Sequence, residues 1–118
     1  MFYIVLFIIT IILLSYLYIS RNISYQFINE KEVISYINEK DAILIDVRTL
    51  SEWKQKHNPR SIHIPIDRLV FDIERIIPDK KQPIIFCCKR SIRSQAAAII
   101  AKRLKYKNIF YTGYCNSI

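Results

Sequence analysis

Eighteen consecutive residues, Phe2 to Ile19, carry no charge and are almost wholly apolar. As a helix they would measure about 27 Å at 1.5 Å per residue, enough to cross a bilayer. A core helix of a soluble protein would show a polar face, and Thr10, Ser15 and the tyrosines do not supply one. Tyr3, Tyr16 and Tyr18, near the ends, suit the interfacial belts of a membrane. A cleaved signal peptide would want Lys or Arg at its start and a small-x-small site at its end, and neither precedes Arg21. The segment therefore reads as an uncleaved transmembrane anchor over residues 1–20. Arg21 and Lys31 follow the span and no basic residue precedes it, which sets the rest of the chain in the cytoplasm by the positive-inside rule.

After residues 21–28, read as a polar tether, residues 29–118 fit one small domain without internal repeats. Asn29 can cap a helix whose first turn holds Glu30 and Glu32 and whose Val33, Ile34 and Ile37 share a face. Ile43 to Asp46 reads as a short apolar strand, as in a sheet covered on both faces. Short helices are expected over Leu50–Lys56 and Asp67–Ile77, with a strand at Ile62–Ile64 and a turn at Pro78–Lys81. A buried strand over Ile84–Cys87, a helix over Gln95–Ala101 and a last strand at Ile109–Tyr111 complete the pattern. Strands alternating with helices define an α/β sandwich of three layers around a mostly parallel sheet.

The chemistry concentrates in Cys88-Lys89-Arg90-Ser91-Ile92-Arg93-Ser94, between the buried strand and the alanine-rich helix. There the N–H groups of the turn and of the first helical turn converge on one point and favour an anion. The anion can be the Cys88 thiolate itself, with Lys89, Arg90 and Arg93 lowering the cost of its charge. Such electropositive, partly open sites are where reactive thiols occur, so Cys88 reads as an activated nucleophile. Cys87 continues the apolar strand and reads as core. Cys115 has no comparable setting. Ser94, before Gln95, reads as the helix N-cap. Three cysteines in a short domain do not suggest a disulfide framework, and a reducing compartment would keep all three as thiols.

These residues resemble a known family, the rhodanese-like sulfurtransferases, over Asn29 to Gly113. Ile43-Leu44-Ile45-Asp46-Val47-Arg48 is similar to the family's strand ending in Asp-Val-Arg, and Glu52-Trp53 to its Glu-aromatic pair. His57-Asn58-Pro59-Arg60-Ser61-Ile62-His63-Ile64-Pro65 resembles its His-Ile-Pro-Gly-Ala segment, and Cys88 to Arg93 its six-residue active-site loop. The resemblance implies that Cys88 takes a sulfane sulfur from a donor such as thiosulfate and passes it, as a persulfide, to cyanide or a thiol. It implies that Glu52 and His57 fix the scaffold, while Asp46, at a strand end beside Arg48, reads as half of an ion pair that ties the strand to a loop. Arg93 would steer the anionic donor or brace the loop, and Arg48, paired with Asp46, could still join the anionic rim. No cofactor or metal is called for, since the histidines and cysteines lack ligand spacing.

The chain departs from the family in holding a single glycine, Gly113. Ser91 stands where the active loop usually has glycine, and Arg60 where the His-Ile-Pro segment does. A Cβ at a position of positive φ costs on the order of 1 kcal/mol, so Ser91 bears on the shape of the loop. The family's closing helix is also missing after Ile109–Tyr111, a flank that a protein partner, a second copy or the membrane would cover. Two further readings follow: a non-catalytic rhodanese-like binding module at the membrane, and a cysteine phosphatase counting from Cys87, for which the loop offers no acidic group. The formal net charge of +8 lies entirely beyond the span and attracts small anions and anionic lipid. Nucleic acid is disfavoured, because no recognised motif accompanies the charge.

Overall fold

The computed structural model describes residues 1–21 and 25–115, leaving aside the side chains of Ser20 and Arg21. Part of the expected tether, residues 22–24, and the last three residues lie outside the described residues. The first element, α1 (Phe2–Arg21), is an apolar helix in which no residue of the Phe2–Ile19 stretch is buried inside the domain. It is a candidate membrane span or signal sequence. A core helix would be covered, so its apolar surface is left for another solvent.

The expected tether in fact contains a strand, β1 (Tyr25–Phe27). Its three residues carry too short a pattern to be read alone, and pairing with a later strand decides them. The other elements are α2 (Glu30–Lys40), β2 (Ile43–Asp46), α3 (Leu50–Gln55), β3 (Ser61–His63), α4 (Ile66–Ile76), β4 (Ile84–Cys88), α5 (Ile92–Arg103) and β5 (Ile109–Tyr114). The strands form one sheet in the order β1-β5-β4-β2-β3, and every pairing is parallel. Connections through helices are what parallel neighbours require.

Two-residue alternation along β2 and β4 divides the core into two clusters. Ile45, Phe86 and Cys88 pack with Leu69 and Ile73 of α4 and Ala97, Ala98 and Ala101 of α5. Leu44, Ile85 and Cys87 pack with Val33 of α2, Ile28 and Cys115 on the other face. The run Ile84–Cys88 is wholly buried because both faces of the central strand are covered. At α2, Asn29 Oδ1 accepts the Glu32 N–H at 2.9 Å, the cap anticipated from sequence, and Glu32 Oε1 accepts the Asn29 N–H at 3.3 Å, a return bond that was not anticipated.

Contrary to the expectation of three thiols, Cys87 and Cys115 are joined in a disulfide. Cys88 is the free cysteine among the described residues. The partners are 28 residues apart in sequence, a separation that gives no spacing signal. They meet because β4 and β5 are neighbours and both sulfurs face the α2 side. Cross-linking a loop of that size restricts the unfolded chain and contributes about 3.5 kcal/mol. The Cys115→Ser chain in detergent should therefore be less stable by that amount in urea titrations, and reductant, acting on the unfolded chain, should abolish the difference between it and the parent.

Candidate active site

Cys88 is the last residue of β4 rather than the first of the loop, and it is only 1% exposed. The expected partly open thiol is thus a buried one that reaches the floor of a cleft. That cleft, about 450 Å³, is lined by Glu52, Cys88, Lys89, Arg90, Ile92 and Arg93. It opens at the C-terminal ends of the strands, where open parallel sheets place their sites.

Helix α5 begins at Ile92, so Ser91 rather than Ser94 is its N-cap residue. Ser91 adopts φ 45° and ψ −17°, in the left-handed region, and makes no side-chain cap bond. This is the residue whose Cβ stands where glycine was expected, so the loop keeps its turn with the strain included. A left-handed residue at such a turn swings neighbouring N–H groups toward a common side, which suits an anion. Arg60, the other glycine substitute, is not among the residues with positive φ.

Ser94 instead lies in the first turn of α5, fully buried. Its N–H donates to Cys88 Sγ at 3.3 Å, and the Cys88 thiol lies 3.5 Å from Ser94 Oγ as a donor to it. The Ser94 hydroxyl is held in turn by the carbonyls of Ser91, at 2.9 Å, and Thr112, at 2.6 Å. Helix start, strand end and sulfur are therefore locked by one serine. An N–H of the first helical turn is otherwise unpaired and carries positive potential, so it supports charge on the sulfur.

Arg93 sits on the cleft wall with its guanidinium clamped by Glu52, at 2.6 Å from Nη1 to Oε1 and 3.0 Å from Nη2 to Oε2. Glu52 is also the third residue of α3, where it accepts the Thr49 N–H at 3.1 Å in a reciprocal cap. The Arg93 hydrogen bonds, followed by those of Thr49, hold the Glu52 carboxyl down at about 2. The same contact with Glu52, joined by the nearby charges of Cys88 and Asp46, raises Arg93 above its usual value against the cost of burial. Of the two roles expected for Arg93, bracing the loop is the one its bonds describe. The role of Glu52 as a wall of the cleft was not read from sequence, because the pair is 41 residues apart.

Arg48 is spent elsewhere. Its Nη2 meets Asp46 Oδ2 at 2.7 Å and the Lys56 carbonyl at 2.8 Å, its Nε reaches both Asp46 oxygens at 3.0 Å, and its N–H caps Oδ1. The pair is buried, as expected for a tie between strand end and loop, and the Asp46 bonds are the main cause that raises Arg48. Arg48 lines a smaller hollow next to the Cys88 cleft rather than the cleft itself. His57 and His63 stack on the two sides of Trp53, at ring distances of 3.6 and 4.8 Å. His57 Nδ1 lies 2.8 Å from the Trp53 carbonyl and His63 Nε2 2.8 Å from the Arg48 carbonyl, so both brace the scaffold. Asp46, Cys87 and Cys115 bring ligand atoms within 4.8 Å of one another, but the disulfide and Arg48 already occupy them. Cys87, with no exposed surface and its sulfur bonded, cannot be the nucleophile the phosphatase reading needs.

A five-stranded parallel α/β sandwich with a cysteine at the end of its central strand and a cationic loop capping a helix defines the class of the domain. Residues 29–113 match the family model of the rhodanese-like domain, and the chain belongs to that family. It is 37% identical over 89 residues to the rhodanese domain-containing protein CG4456 of Drosophila melanogaster, covering 64% of this chain and 80% of the relative. A rhodanese with anions from E. coli superposes with a TM-score of 0.61 at 26% identity, over 65% of this chain and 91% of that one. The human single-domain sulfurtransferase TSTD1 shares the fold, with a TM-score of 0.62 at 21% identity over 75% of this chain and 88% of its own.

Two measurements follow from this geometry. Protonating Glu52 releases Arg93, so the pair's contribution is full above pH 4.5 and is lost as pH falls through about 2. Glu52→Gln should cost about 1–2 kcal/mol at pH 7, discounted for a pair about a third exposed, with the deficit closing below pH 3 in urea titrations. Ser91→Gly removes the left-handed strain and should stabilise by up to about 1 kcal/mol, read as a higher urea midpoint at unchanged slope.

Proposed function

We propose that this protein is a membrane-anchored sulfurtransferase that carries a sulfane sulfur on Cys88. The observation that supports it most is the setting of Cys88 Sγ, which meets the Ser94 N–H at the base of a cleft walled by Lys89, Arg90 and Arg93. In the first half-reaction the Cys88 thiolate attacks the outer sulfur of a donor such as thiosulfate. The new Cys88 S–S bond forms as the donor's S–S bond breaks, and sulfite leaves with the electron pair. In the second, cyanide or a thiolate attacks the outer sulfur and the Cys88 thiolate is expelled. No oxidant is consumed; the attacking species is the Cys88 thiolate, whose charge the Ser94 N–H supports. Lys89 and Arg90, both exposed, attract the doubly charged donor, and the N–H groups around Ser91 and Ser94 hold the persulfide anion.

Helix α1 serves as the anchor, since the chain leaves its apolar surface uncovered and offers no cleavage site. The basic residues that follow it favour a cytoplasmic domain. The Cys87–Cys115 disulfide is compatible with that side because neither residue has surface that a dissolved reductant can reach.

The full chain in detergent, treated with thiosulfate, should gain one sulfur atom on Cys88 by intact mass and fragmentation, and cyanide should release it as thiocyanate. Cys88→Ser should abolish the gain and Cys115→Ser, though less stable, should keep it. A folded, reduced chain that gains no sulfur would leave the binding-module reading in its place.

A further inference from the structure

The four strands β1, β5, β4 and β2 begin in line, with Tyr25, Ile109, Ile84 and Ile43 as register partners. Three residues separate Tyr25 from the end of α1 at Arg21, so the chain can span at most about 14 Å between them. If α1 ends at the bilayer surface, the edge where the strands begin is held against that surface. That edge carries three loops: residues 41–42, residues 77–83 and residues 104–108.

These loops form one continuous, tied surface. The Lys107 N–H donates to the Lys80 carbonyl at 2.9 Å, Asn108 Nδ2 to the Lys81 carbonyl at 2.7 Å, and Gln82 Nε2 to the Asp41 carbonyl at 2.8 Å. Lys80 Nζ bonds the Leu104 carbonyl at 2.7 Å and lies over the Tyr106 ring, while pairing with Glu74. Lys40, Lys81, Arg103, Lys105 and Lys107 are exposed around it, and none of them forms an ion pair among the described residues. At the other end Arg48, Arg93 and Arg68 are spent in pairs with Asp46, Glu52 and Asp72 while Lys54, Lys56, Lys89 and Arg90 stay exposed, so nearness to α1, and not charge alone, selects the strand-start edge. The basic ends of α2 and α5 follow the ordinary preference of helix C-termini for cations. Lys81, Lys105 and Lys107 lie in loops beyond the helices, and that preference does not account for them.

We propose that this strand-start edge lies on anionic lipid headgroups, which fixes the domain with its Cys88 cleft turned away from the membrane. The proposal deepens the anchored-enzyme reading and rests on α1 being retained in the bilayer. Each suitably placed basic residue strengthens such contact about fivefold, and the effect is screened by salt. Cys88 lies at the opposite end of a strand about 16 Å long. Donor and acceptor therefore enter from water, and a lipid-dissolved sulfur carrier is not the substrate.

The test uses the full chain in vesicles of phosphatidylcholine, with or without one quarter phosphatidylserine, and a water-soluble amine-acylating reagent read lysine by lysine by mass spectrometry. Lys54, Lys56 and Lys89, exposed at the cleft end, serve as internal references. Lys81, Lys105 and Lys107 should be acylated at least about threefold more slowly in the anionic vesicles than in the neutral ones, and 0.5 M salt should remove the difference. Equal rates at both ends of the domain in both vesicles, or slowing at the reference lysines instead, overturn the proposal. Flotation after an alkaline carbonate wash reads the anchor separately. A chain that washes off overturns the anchored reading itself, whereas one that floats with unprotected Lys81, Lys105 and Lys107 overturns only the orientation.

Discussion

The polarity of the sheet is the constraint from which the rest of the molecule follows. Because every pairing is parallel, each chain crossing must return through a helix, and all strands end on the same side. Loops that leave strand ends therefore gather at one edge: Arg48 and Thr49 after β2, and Lys89 to Ser91 after β4. The loops that enter strands gather at the other. One edge holds a cysteine and its cleft, and the other holds tied lysines and the link to an apolar helix.

Within the functional edge, Glu52 joins parts that the backbone leaves separate. It caps α3 through Thr49 and clamps Arg93 at the start of α5. The active-site loop is thereby braced against a helix from the other half of the chain. The Arg93 contact holds the carboxyl down at about 2, so the brace is intact at neutral pH. Ser94 does the equivalent task from below, tying the sulfur of Cys88 to the carbonyls of Ser91 and Thr112. Both are short polar contacts in partly or wholly buried settings, where geometry is held more tightly than at a surface.

The adjacent cysteines show how a one-residue step decides chemistry. Side chains alternate along β4, so Cys88 faces the α4–α5 side and the cleft while Cys87 faces α2. Cys87 then finds Cys115, delivered by β5. The same alternation that brings Cys88 to the cleft seals Cys87 on the opposite face.

Much of this was legible without coordinates, for local reasons. The uncharged run at the start, the Asn29 cap and the buried strand before Cys88 are properties of neighbouring residues, and sequence displays neighbours; the strain at Ser91 was legible only through the resemblance to a family that has glycine there. The Asp46–Arg48 tie spans two positions and was equally readable. What the sequence left open depends on residues brought together from afar. The strand status of Tyr25–Phe27 needed β5, the burial of Cys88 needed α4 and α5, the fate of Arg93 needed Glu52, and the pairing of Cys87 needed Cys115. By itself the sequence determined the apolar helix, the α/β alternation and the candidate nucleophile, because helix and strand periodicity and the charge around a cysteine are written in adjacent positions. Only the tertiary structure decided which cation is spent on a carboxylate, which cysteine is sealed and which edge faces which way, because each is settled by contacts across the sheet.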